Sequence, residues 1–501
     1  MKTDRPDHVI NRLSAFLRTP LDDTLRQRLA ADPRLNALRA FKSAVAEVPA
    51  YRQFLSDRGV DPGQINSYAD FQSLPLMDKA NYMSAYPLPQ RCKGGLLTAC
   101  DRLAVSSGST GVSTLWPRSM EDELDVALRF EQVFRHGFRA DERDTLAVVC
   151  FPLGNWVGGI FTASCCWHLA HKGYPLTVAT PGNKPDEILR VVREMSPHYQ
   201  QTVLLGYPPF VKDVIDTGRA QGLDWGAYAI KLVFAGEGFS EEWRSLMMER
   251  VGSSSPCQDS ASLYGTADGG VLGNETPLSI AIRRFLASAP AAARQLFGES
   301  RLPTLLQYDA MSRFFELIDG ATLAVTGDNG VPLIRYHITD QGGLMGHDDL
   351  LGFLRDWGVL ALEDYGLEGG VTCPLPFVWV FGRADFTVSF YGANVYPENV
   401  VVGLEQSELK GWVTGKFVMD VRRQGDGPET LHVAVELLPA VDADGGAEAV
   451  VARSILAHLV RLNSEFANYV PAAAQMPHVE LLPFGDPEHF PQGVKHRYTR
   501  R

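Results

Sequence analysis

The stretch TLAVVCFPLGNWVGGIFTASCCWHLAHKGYPLTVAT, residues 145–180, carries the pattern that decides the fold. Its two ends, TLAVVCF and PLTVAT, have the length and the apolar composition of buried strands. The segment between them, VGGIFTASCCWHLAHKG, is long enough for a helix and ends on Gly173. A strand, a helix and a strand in this order predict a βαβ unit, in which the two strands pair in parallel.

The same alternation continues to about residue 250, where further apolar runs predict strands (TVLLGY, KLVFAG) and further amphipathic segments predict helices (DEILRVVREM, PPFVKDVIDTGRAQG, SEEWRSLMMERVG). Residues 1–60 are predicted to be helical, and after about residue 300 the chain changes to hairpin-like strands (RFFELIDGATLAVTG, PLIRYHITDQGG). We therefore predict an α/β fold, with a large N-terminal domain over residues 1–384 that combines βαβ units and a β-hairpin subdomain. In such a sheet, ligands bind at the carboxyl ends of the strands.

The section from 385 to 501 has a different pattern. A strand, a turn and a helix are followed by a hairpin across RRQGDGPET, a helix in AEAVVARSILAHLVRLNSEF and a final strand in HVELLPFG. This section is long enough to fold as a separate small α+β domain.

Composition and charge exclude several classes of protein. The chain has 501 residues, a net charge of −12 and 45% hydrophobic residues, which is typical of a globular protein and argues against a nucleic-acid partner. The beginning of the chain has no signal-peptide pattern, and no apolar run has membrane length, so we expect a cytoplasmic protein with no membrane partner. The seven cysteines form no regular framework, which agrees with a reducing compartment.

The loop VSSGSTGVST, residues 105–114, has two interpretations. Glycines and hydroxyl side chains let backbone N–H groups approach an anion, which favours phosphate binding. The same composition is common in solvated surface loops. The loop is not a Walker A motif, because it lacks the lysine of that pattern.

Five segments in order resemble the adenylate-forming (acyl-CoA synthetase) superfamily, in particular its phenylacetate–CoA ligase-like branch. They are VPAYRQFLSDRGVDPGQINSYADFQSLPLMDK (48–79), SSGSTG (106–111), SLYGTADGG (262–270), VPLIRYHITDQG (331–342) and FGRADFTVSFYGANVYPENV (381–400). Each match is weak alone, but together they cover nearly the whole chain. With them, the phosphate-binding interpretation of the serine- and glycine-rich loop becomes the favoured one.

The resemblance implies a role for individual residues of a nucleotide site. The β- and γ-phosphates of ATP are expected on Ser106, Ser107, Gly108, Ser109, Thr110 and Gly111. The adenine is expected beside Ala235, Gly236, Glu237 and Gly238, with Tyr264 and Gly265 on its other side. The ribose is expected at Asp340 and Arg383, and the small domain is expected to turn about Asp385.

The family also has a catalytic lysine near its C-terminus. Lys495 is the only lysine after Lys416 and follows the predicted final strand, which matches the family's position. An ammonium there would contact the α-phosphate and the substrate carboxylate and offset their negative charge. The alternative is a solvated basic tail with Arg497, Arg500 and Arg501. The spacing departs from the family pattern, because Val494 separates Gly493 from the lysine.

Two motifs depart from the family pattern. The acidic motif has Ala267 where relatives have a hydroxyl residue, and Asp268 where relatives have glutamate. Asp268 remains the expected ligand of Mg²⁺, with a side chain one methylene shorter. In the phosphate loop, Val112 and Thr114 stand where relatives often have lysine. These departures are compatible with weaker handling of ATP or with a specialised subgroup.

Aromatic residues near the predicted strand ends are candidates for an acyl pocket. They are Trp156, Phe161, Tyr207 and Phe210, with Gly158 and Gly159 allowing close approach to the backbone of a helix. Such a lining suits an aromatic or other flat apolar acid. The alternative is that these side chains belong to the core.

A separate cluster, Cys165, Cys166, His168 and His171, has the residue types of a metal site. No second cluster nearby in the sequence completes such a site, so we favour packing in the core.

The resemblance implies an ATP-dependent enzyme that activates a carboxylic acid as an acyl-adenylate and transfers it to CoA or another thiol. Its expected ligands are ATP, Mg²⁺, a small carboxylic acid and CoA as the acceptor. A carrier protein or a reductase is the alternative acceptor, as in secondary metabolism. A non-catalytic relative that binds nucleotide or acyl-adenylate is the alternative from another class. The state of assembly stays open, with a homodimer as one option.

Overall fold

The computed structural model of the protein describes residues 5–105, 114–299, 301–369, 373–382, 388–423, 429–442, 445–491, 496 and 498–499. Within these ranges, no helix combines the length and the apolar character that are needed to span a bilayer.

The α-helices, in chain order, are α1 (Arg5–Arg18), α2 (Leu21–Leu29), α3 (Pro33–Glu47), α4 (Pro49–Ser56), α5 (Tyr68–Gln72), α6 (Leu88–Arg91), α7 (Met120–Gln132), α8 (Gly159–His171), α9 (Pro185–Met195), α10 (Pro208–Ala220), α11 (Glu241–Arg250), α12 (Pro256–Asp259), α13 (Pro277–Ser288), α14 (Pro290–Phe297), α15 (His347–Asp356), α16 (Pro397–Leu404), α17 (Ala447–Leu462) and α18 (Ser464–Tyr469).

The strands, in chain order, are β1 (Arg102–Val105), β2 (Leu115–Arg118), β3 (Thr145–Val149), β4 (Leu176–Ala179), β5 (Gln201–Gly206), β6 (Ile230–Ala235), β7 (Ser260–Thr266), β8 (Gly270–Asn274), β9 (Thr304–Gln307), β10 (Phe314–Ile318), β11 (Thr322–Gly327), β12 (Leu333–Met345), β13 (Phe377–Gly382), β14 (Val388–Phe390), β15 (Ala393–Val395), β16 (Val413–Arg423), β17 (Glu429–Leu437) and β18 (His478–Leu482).

One large sheet organises the first part of the chain. In the described residues its strand order is β10-β11-β12-β13-β9-β8-β7-β6-β5-β3-β4. The strands from β4 to β7 pair in parallel, whereas β8 and the strands beyond it pair antiparallel. Strands β3 and β5 are buried along their whole length, as parallel strands covered on both faces must be. The predicted α/β fold with βαβ units is confirmed.

Two apolar clusters cover opposite faces of the parallel strands. Alternate residues of β3 point to the two sides, so Ala147 and Val149 pack with α7 and α8, whereas Leu146 and Val148 pack with α9, α10 and α11. Helix α10 begins at Pro208, whose fixed φ suits the first turn of a helix. The crossover helices therefore leave the carboxyl ends of the strands open on one edge.

The last part of the chain forms a three-stranded sheet in the order β16-β17-β18, with α16 and α17 packed against it. The hairpin of β16 and β17 is antiparallel, and β18 pairs in parallel with β17, which agrees with an α+β unit. Its core contains Phe417, Leu431, Ile455 and Phe466 from different elements. The boundary between residues 384 and 385 stays a prediction.

The strands β1 and β2 form a hairpin that flanks the predicted phosphate loop. They pair from Arg102 with Arg118 up to Val105 with Leu115, and residues 106–113 between them lie outside the described residues. The Arg118 guanidinium is buried and donates to the backbone carbonyls of Ala267 and, at 2.9 Å, of Asp268. The hairpin is thus attached to the turn that follows β7.

The helices α16 and α17 cross closely at Gly403, and replacing this residue should destabilise the C-terminal section. A Cβ at Gly403 would lie 2.6 Å from Cα of Ile455, which is backbone and cannot rotate away. Gly403→Ala is therefore expected to lower the free energy of unfolding by about 2 kcal/mol through overpacking. Urea denaturation followed by tryptophan fluorescence measures this change. The control is Gly411→Ala, since Gly411 is exposed and a Cβ there meets nothing within 4 Å.

Removing the guanidinium of Arg118 should loosen the turn at residues 266–269. Arg118→Met leaves two carbonyls without their donor, and an unsatisfied buried group costs about 1–3 kcal/mol. We expect faster amide exchange in peptides that cover this turn and a lower melting temperature. Hydrogen–deuterium exchange read by mass spectrometry tests the local effect, with Arg39→Met on the exposed face of α3 as the control. Unchanged exchange at the turn would contradict this role of Arg118.

Candidate active site

The structure brings together Tyr264 and Asp340, the residues predicted to contact adenine and ribose. The Tyr264 hydroxyl donates a hydrogen bond of 2.5 Å to Oδ2 of Asp340. Asp340 is 6% exposed, and Tyr264 lies near the end of β7 on the open edge of the sheet. Glycine at residue 265 lets the backbones of β7 and β8 lie close together, since a Cβ there would lie 2.9 Å from the carbonyl oxygen of Gly270.

Asp268, the predicted metal ligand, lies in the turn between β7 and β8. Its Oδ2 accepts a hydrogen bond of 2.5 Å from the Tyr336 hydroxyl. The hydroxyl of Thr266, the residue before Ala267, accepts from the Gly269 amide at 2.9 Å within the same turn. Sequence analysis did not assign Tyr336 to the site. The signal that could have identified it is its position four residues before Asp340.

The Asp268 carboxylate is an oxygen ligand of the type that suits Mg²⁺. Among the residues that the structure describes, no group of three or more His, Cys, Asp and Glu side chains is arranged to hold a metal ion. Mg²⁺ commonly binds through one or two carboxylates together with phosphate oxygens and water. Asp268, half-buried beside the hairpin that flanks the phosphate loop, offers one such carboxylate.

The predicted adenine turn, residues 235–238, follows the end of β6. Gly236 has a φ of +97°, a conformation that favours glycine, and this lets the chain leave the strand in a tight turn. The Glu237 carboxylate faces the hydroxyls of Tyr207 and Tyr498. Burial raises the pKa of both tyrosines well above the ordinary value, and the negative charge of Glu237 raises it further.

The segment that ends the chain reaches this turn. Nε2 of His496 lies 2.7 Å from the Phe417 carbonyl on β16, and the His496 backbone faces the Tyr207 hydroxyl. The Met419 amide donates to the Tyr498 carbonyl at 2.8 Å. Burial lowers the pKa of His496 to about 4, so the ring is neutral near pH 7 and donates to the carbonyl. Lys495, the predicted catalytic residue, lies outside the described residues.

Ion pairs join the C-terminal section to the large sheet's helices. The Lys416 ammonium on β16 contacts the Asp213 carboxylate on α10 and lies 3.4 Å from Oε2 of Glu436. The Lys410 ammonium contacts Glu249 on α11. Burial of the Glu405 carboxyl, which accepts from the Ser240 hydroxyl, raises its pKa well above the ordinary value. These contacts fix the C-terminal section so that strand β16 lies on the side of the adenine turn.

The aromatic candidates for the acyl pocket are distributed over both faces of the sheet. Phe161 and Tyr207 pack against the cluster that involves α7 and α8, whereas Phe210 packs against the cluster on the opposite face. Trp156 is 46% exposed, and its neighbour Asn155 accepts a hydrogen bond of 2.8 Å from the Val105 amide at the end of β1. Phe161 and Tyr207 are thus the two that share a region.

The two glycines at the beginning of α8, Gly158 and Gly159, lie close to other parts of the chain. A Cβ at Gly159 would lie 2.1 Å from the carbonyl oxygen of Pro152, and one at Gly158 would lie 3.2 Å from the Phe151 ring. The space beside Gly159 is therefore occupied by protein backbone, and glycine is required there by packing.

Three members of the cysteine and histidine cluster on α8, Cys165, Cys166 and His168, are buried in the core, whereas His171 is exposed. Cys165 and Cys166 are fully buried, and burial raises the pKa of both thiols. His168 lies with its Nε2 2.7 Å from Oε1 of Glu123. All seven cysteines of the chain are free thiols.

Several predicted site residues lie outside the described residues. They are Ser106, Ser107, Gly108, Ser109, Thr110 and Gly111 of the phosphate loop, together with Arg383, Asp385 and Lys495.

Comparison with known proteins finds similarity to a curated protein and to solved structures. No family model matches the chain. A phenylacetate-coenzyme A ligase of Aromatoleum evansii is 23% identical over 229 residues, which are 45% of this chain and 48% of that protein. The match therefore spans about half the length of this curated relative.

Among solved structures, a 2-hydroxyisobutyryl-CoA ligase in the postadenylation state, in complex with R3-HIB-AMP, has a TM-score of 0.64 at 14% identity, covering 94% of this chain and 87% of that chain. The same ligase with 2-HIB-AMP and CoA in the thioesterification state has a TM-score of 0.51 at 15% identity, covering 93% of this chain and 88% of that chain. The chain thus has the fold of these CoA ligases, and the resemblance of its motifs to the adenylate-forming superfamily is confirmed.

Proposed function

We propose that this protein is an AMP-forming ligase that joins a carboxylic acid to CoA through an acyl-adenylate. The observation that carries the proposal is the convergence of the Tyr264–Asp340 pair, Asp268 and the Glu237 turn at one edge of the parallel strands. The chain also has the fold of CoA ligases and similarity to a phenylacetate-coenzyme A ligase.

In the first half-reaction, a carboxylate oxygen of the acid attacks the α-phosphorus of ATP. The bond from that phosphorus to its bridging oxygen breaks, and pyrophosphate leaves. In the second half-reaction, a thiol loses its proton and its sulfur attacks the acyl carbon, so that AMP leaves. The polypeptide contributes orientation and charge compensation in both steps.

The nucleotide would lie across the carboxyl ends of β6 and β7. Tyr264 stacks on the adenine, with its ring orientation held by the hydrogen bond to Asp340. Asp340 accepts from the ribose hydroxyls, as only an acceptor side chain can. In this proposal Arg383 would contact the ribose, and the backbone of residues 235–238 would border the base.

The triphosphate would lie toward the β1–β2 hairpin. Residues 106–111 connect the two strands of this hairpin, whose second strand contacts the Asp268 turn through Arg118. Backbone amides of such a loop bind the β- and γ-phosphates. Asp268 would hold Mg²⁺, which supplies charge neutralisation at the phosphates when bound.

Lys495 supplies the cation at the reacting atoms in this proposal. It directly precedes His496, whose backbone faces Tyr207 beside the adenine turn. The TM-score is higher with the postadenylation state than with the thioesterification state of the same ligase, 0.64 against 0.51, which supports an arrangement like that of the postadenylation state. A rotation about Asp385 would then withdraw Lys495 for the second half-reaction.

We propose an aromatic acid as the substrate, because the partly buried rings of Phe161 and Tyr207 border the same apolar cluster and Tyr207 directly follows β5. CoA is the proposed acceptor, since the relatives named above are CoA ligases. A carrier protein or a reductase remains the second candidate. The departures at Ala267 and Val112 favour such a specialised role.

Acid-dependent exchange of pyrophosphate into ATP tests the enzymatic function. We expect an aryl acid to stimulate exchange more than fatty acids or 2-hydroxyisobutyrate, and CoA to convert the adenylate to a thioester detected by mass spectrometry. Asp340→Asn is expected to raise the KM for ATP at least about tenfold, because a charged acceptor is lost from the ribose site. The matched control is Asp349→Asn on the exposed side of α15. ATP binding without exchange for any acid in the panel would support a non-catalytic relative instead.

Replacement of Lys495 separates its catalytic role from that of a basic tail. Lys495→Ala is expected to lower adenylation by about 100-fold or more, which is typical for loss of one transition-state stabilising group. Thioester formation from a supplied acyl-adenylate should remain near the level of the unmodified protein. Arg500→Ala removes the same charge from the tail and should leave both half-reactions unchanged. Full adenylation by Lys495→Ala would overturn the assignment.

A further inference from the structure

Two segments of the site have the same spacing of tyrosine and aspartate. Tyr264 precedes Asp268 by four residues in YGTAD, and Tyr336 precedes Asp340 by four residues in YHITD. The first segment belongs to β7 and the turn after it, and the second belongs to β12. In the large sheet these strands are separated by β8, β9 and β13. The side chains therefore meet across the site and not along one strand.

The hydrogen bonds between the two segments are crossed. The Tyr264 hydroxyl donates to Asp340, and the Tyr336 hydroxyl donates to Asp268, each at 2.5 Å. Each carboxylate is thus oriented by the tyrosine of the other segment. A hydroxyl that donates to an ionised carboxylate makes one of the stronger hydrogen bonds in proteins.

The backbone of β12 is kinked directly before Tyr336 and directly before Asp340. Arg335 and Thr339, which directly precede Tyr336 and Asp340, have φ of +50° and +68°. Non-glycine residues adopt this conformation rarely and keep it when the surroundings enforce it. The pairing of β11 with β12 shifts register at the same places, and such bulges re-aim side chains.

Contacts of Arg335 hold the first of these kinks. Its Nε lies 3.1 Å from both carboxylate oxygens of Glu316, and its Nη1 donates to the carbonyls of Gln72 and Leu74. Tyr336 itself is 2% exposed and lies among apolar side chains. Burial of a phenol hydroxyl without a partner costs free energy, and the Asp268 carboxylate removes this cost for Tyr336.

We propose that Tyr336 is a positioning residue that sets the Asp268 carboxylate for Mg²⁺, while Tyr264 does the same for Asp340 at the ribose. The identity of the two ligands rests on the proposed function. Tyr336 would thereby compensate for the shorter side chain of Asp268 and for Ala267, which has no hydroxyl. The proposed Mg²⁺ site at Asp268 and the proposed ribose site at Asp340 are then connected, because the two hydrogen bonds join the same two segments.

Calorimetry of nucleotide binding at varied Mg²⁺ concentration tests this role. The probes are AMP and α,β-methylene-ATP, and neither requires turnover. Tyr336→Phe is expected to raise the Mg²⁺ concentration for half-maximal analogue binding about five- to tenfold, with AMP affinity changed by less than about twofold. Tyr264→Phe is expected to weaken AMP and to leave the Mg²⁺ dependence within about twofold.

The matched control is Tyr82→Phe. The Tyr82 hydroxyl is buried and has no hydrogen-bond partner among the described residues, so its loss tests the effect of removing a buried phenol oxygen alone. Both its AMP affinity and its Mg²⁺ dependence should equal those of the unmodified protein. Melting temperatures of the three variants report whether each is folded.

A double-variant cycle with Asp268→Glu gives a second measurement. The longer side chain no longer matches the tyrosine, so Tyr336→Phe should change the Mg²⁺ dependence by less than about twofold in this background. The same change in both backgrounds would overturn the positioning role. The cycle requires that both single variants and the double variant are folded, which their melting temperatures report.

Other outcomes separate this inference from the proposed function. Analogue binding by the unmodified protein that does not depend on Mg²⁺, or an unchanged Mg²⁺ dependence in Tyr336→Phe, overturns the positioning role. An equal effect of Tyr336→Phe on AMP and on the analogue overturns it as well. Absence of pyrophosphate exchange with every acid overturns the enzymatic proposal and leaves the calorimetric result to stand alone. A protein that binds neither probe overturns both.

Discussion

The parallel register of β5, β6 and β7 is the constraint on which the rest of the site depends. Gly206 pairs with Phe234, and Ala235 pairs with Leu263, so the three strands end at one edge of the sheet. Tyr207, the turn at residues 235–238 and the turn at residues 266–269 directly follow these ends. Because a parallel pairing aligns the carboxyl ends, residues far apart in sequence become neighbours there.

Buried charge reinforces this arrangement at three places. The Arg118 guanidinium holds the turn at residues 266–269 against the hairpin that flanks the phosphate loop, and Arg335 holds the kink of β12. On the other side, Lys416 joins β16 to Asp213 and approaches Glu436. Breaking one partner of such a pair leaves a buried charge uncompensated, so these contacts restrict where the surrounding backbone can move. The site is therefore supported by charged groups that do not themselves face the proposed ligands.

Sequence analysis located the elements and several site residues because their signals are local. The unit β3–α8–β4 follows from two short apolar runs and from the longer segment between them that ends on Gly173, and α10 begins at its predicted proline. Tyr264 and Asp340 were assigned from motifs, and the structure places them in contact. Phe210 was grouped with Phe161 on composition alone. In the structure Phe161 on α8 and Phe210 on α10 are separated, because the two helices cover opposite faces of the sheet.

The amino-acid pattern alone determined the α/β class, the order of the strands along the chain and the candidates at the strand ends, since these depend on periodicity and short motifs. Only the tertiary structure decided that Tyr336 contacts Asp268, that Arg118 holds the turn beside it, and that Gly159 is required by the carbonyl of Pro152. These contacts join segments that are separated by several strands or by a reversal of the chain. No local pattern records them, because they arise when the bends of β12 and the packing of the sheet bring distant backbone and side chains within hydrogen-bonding distance.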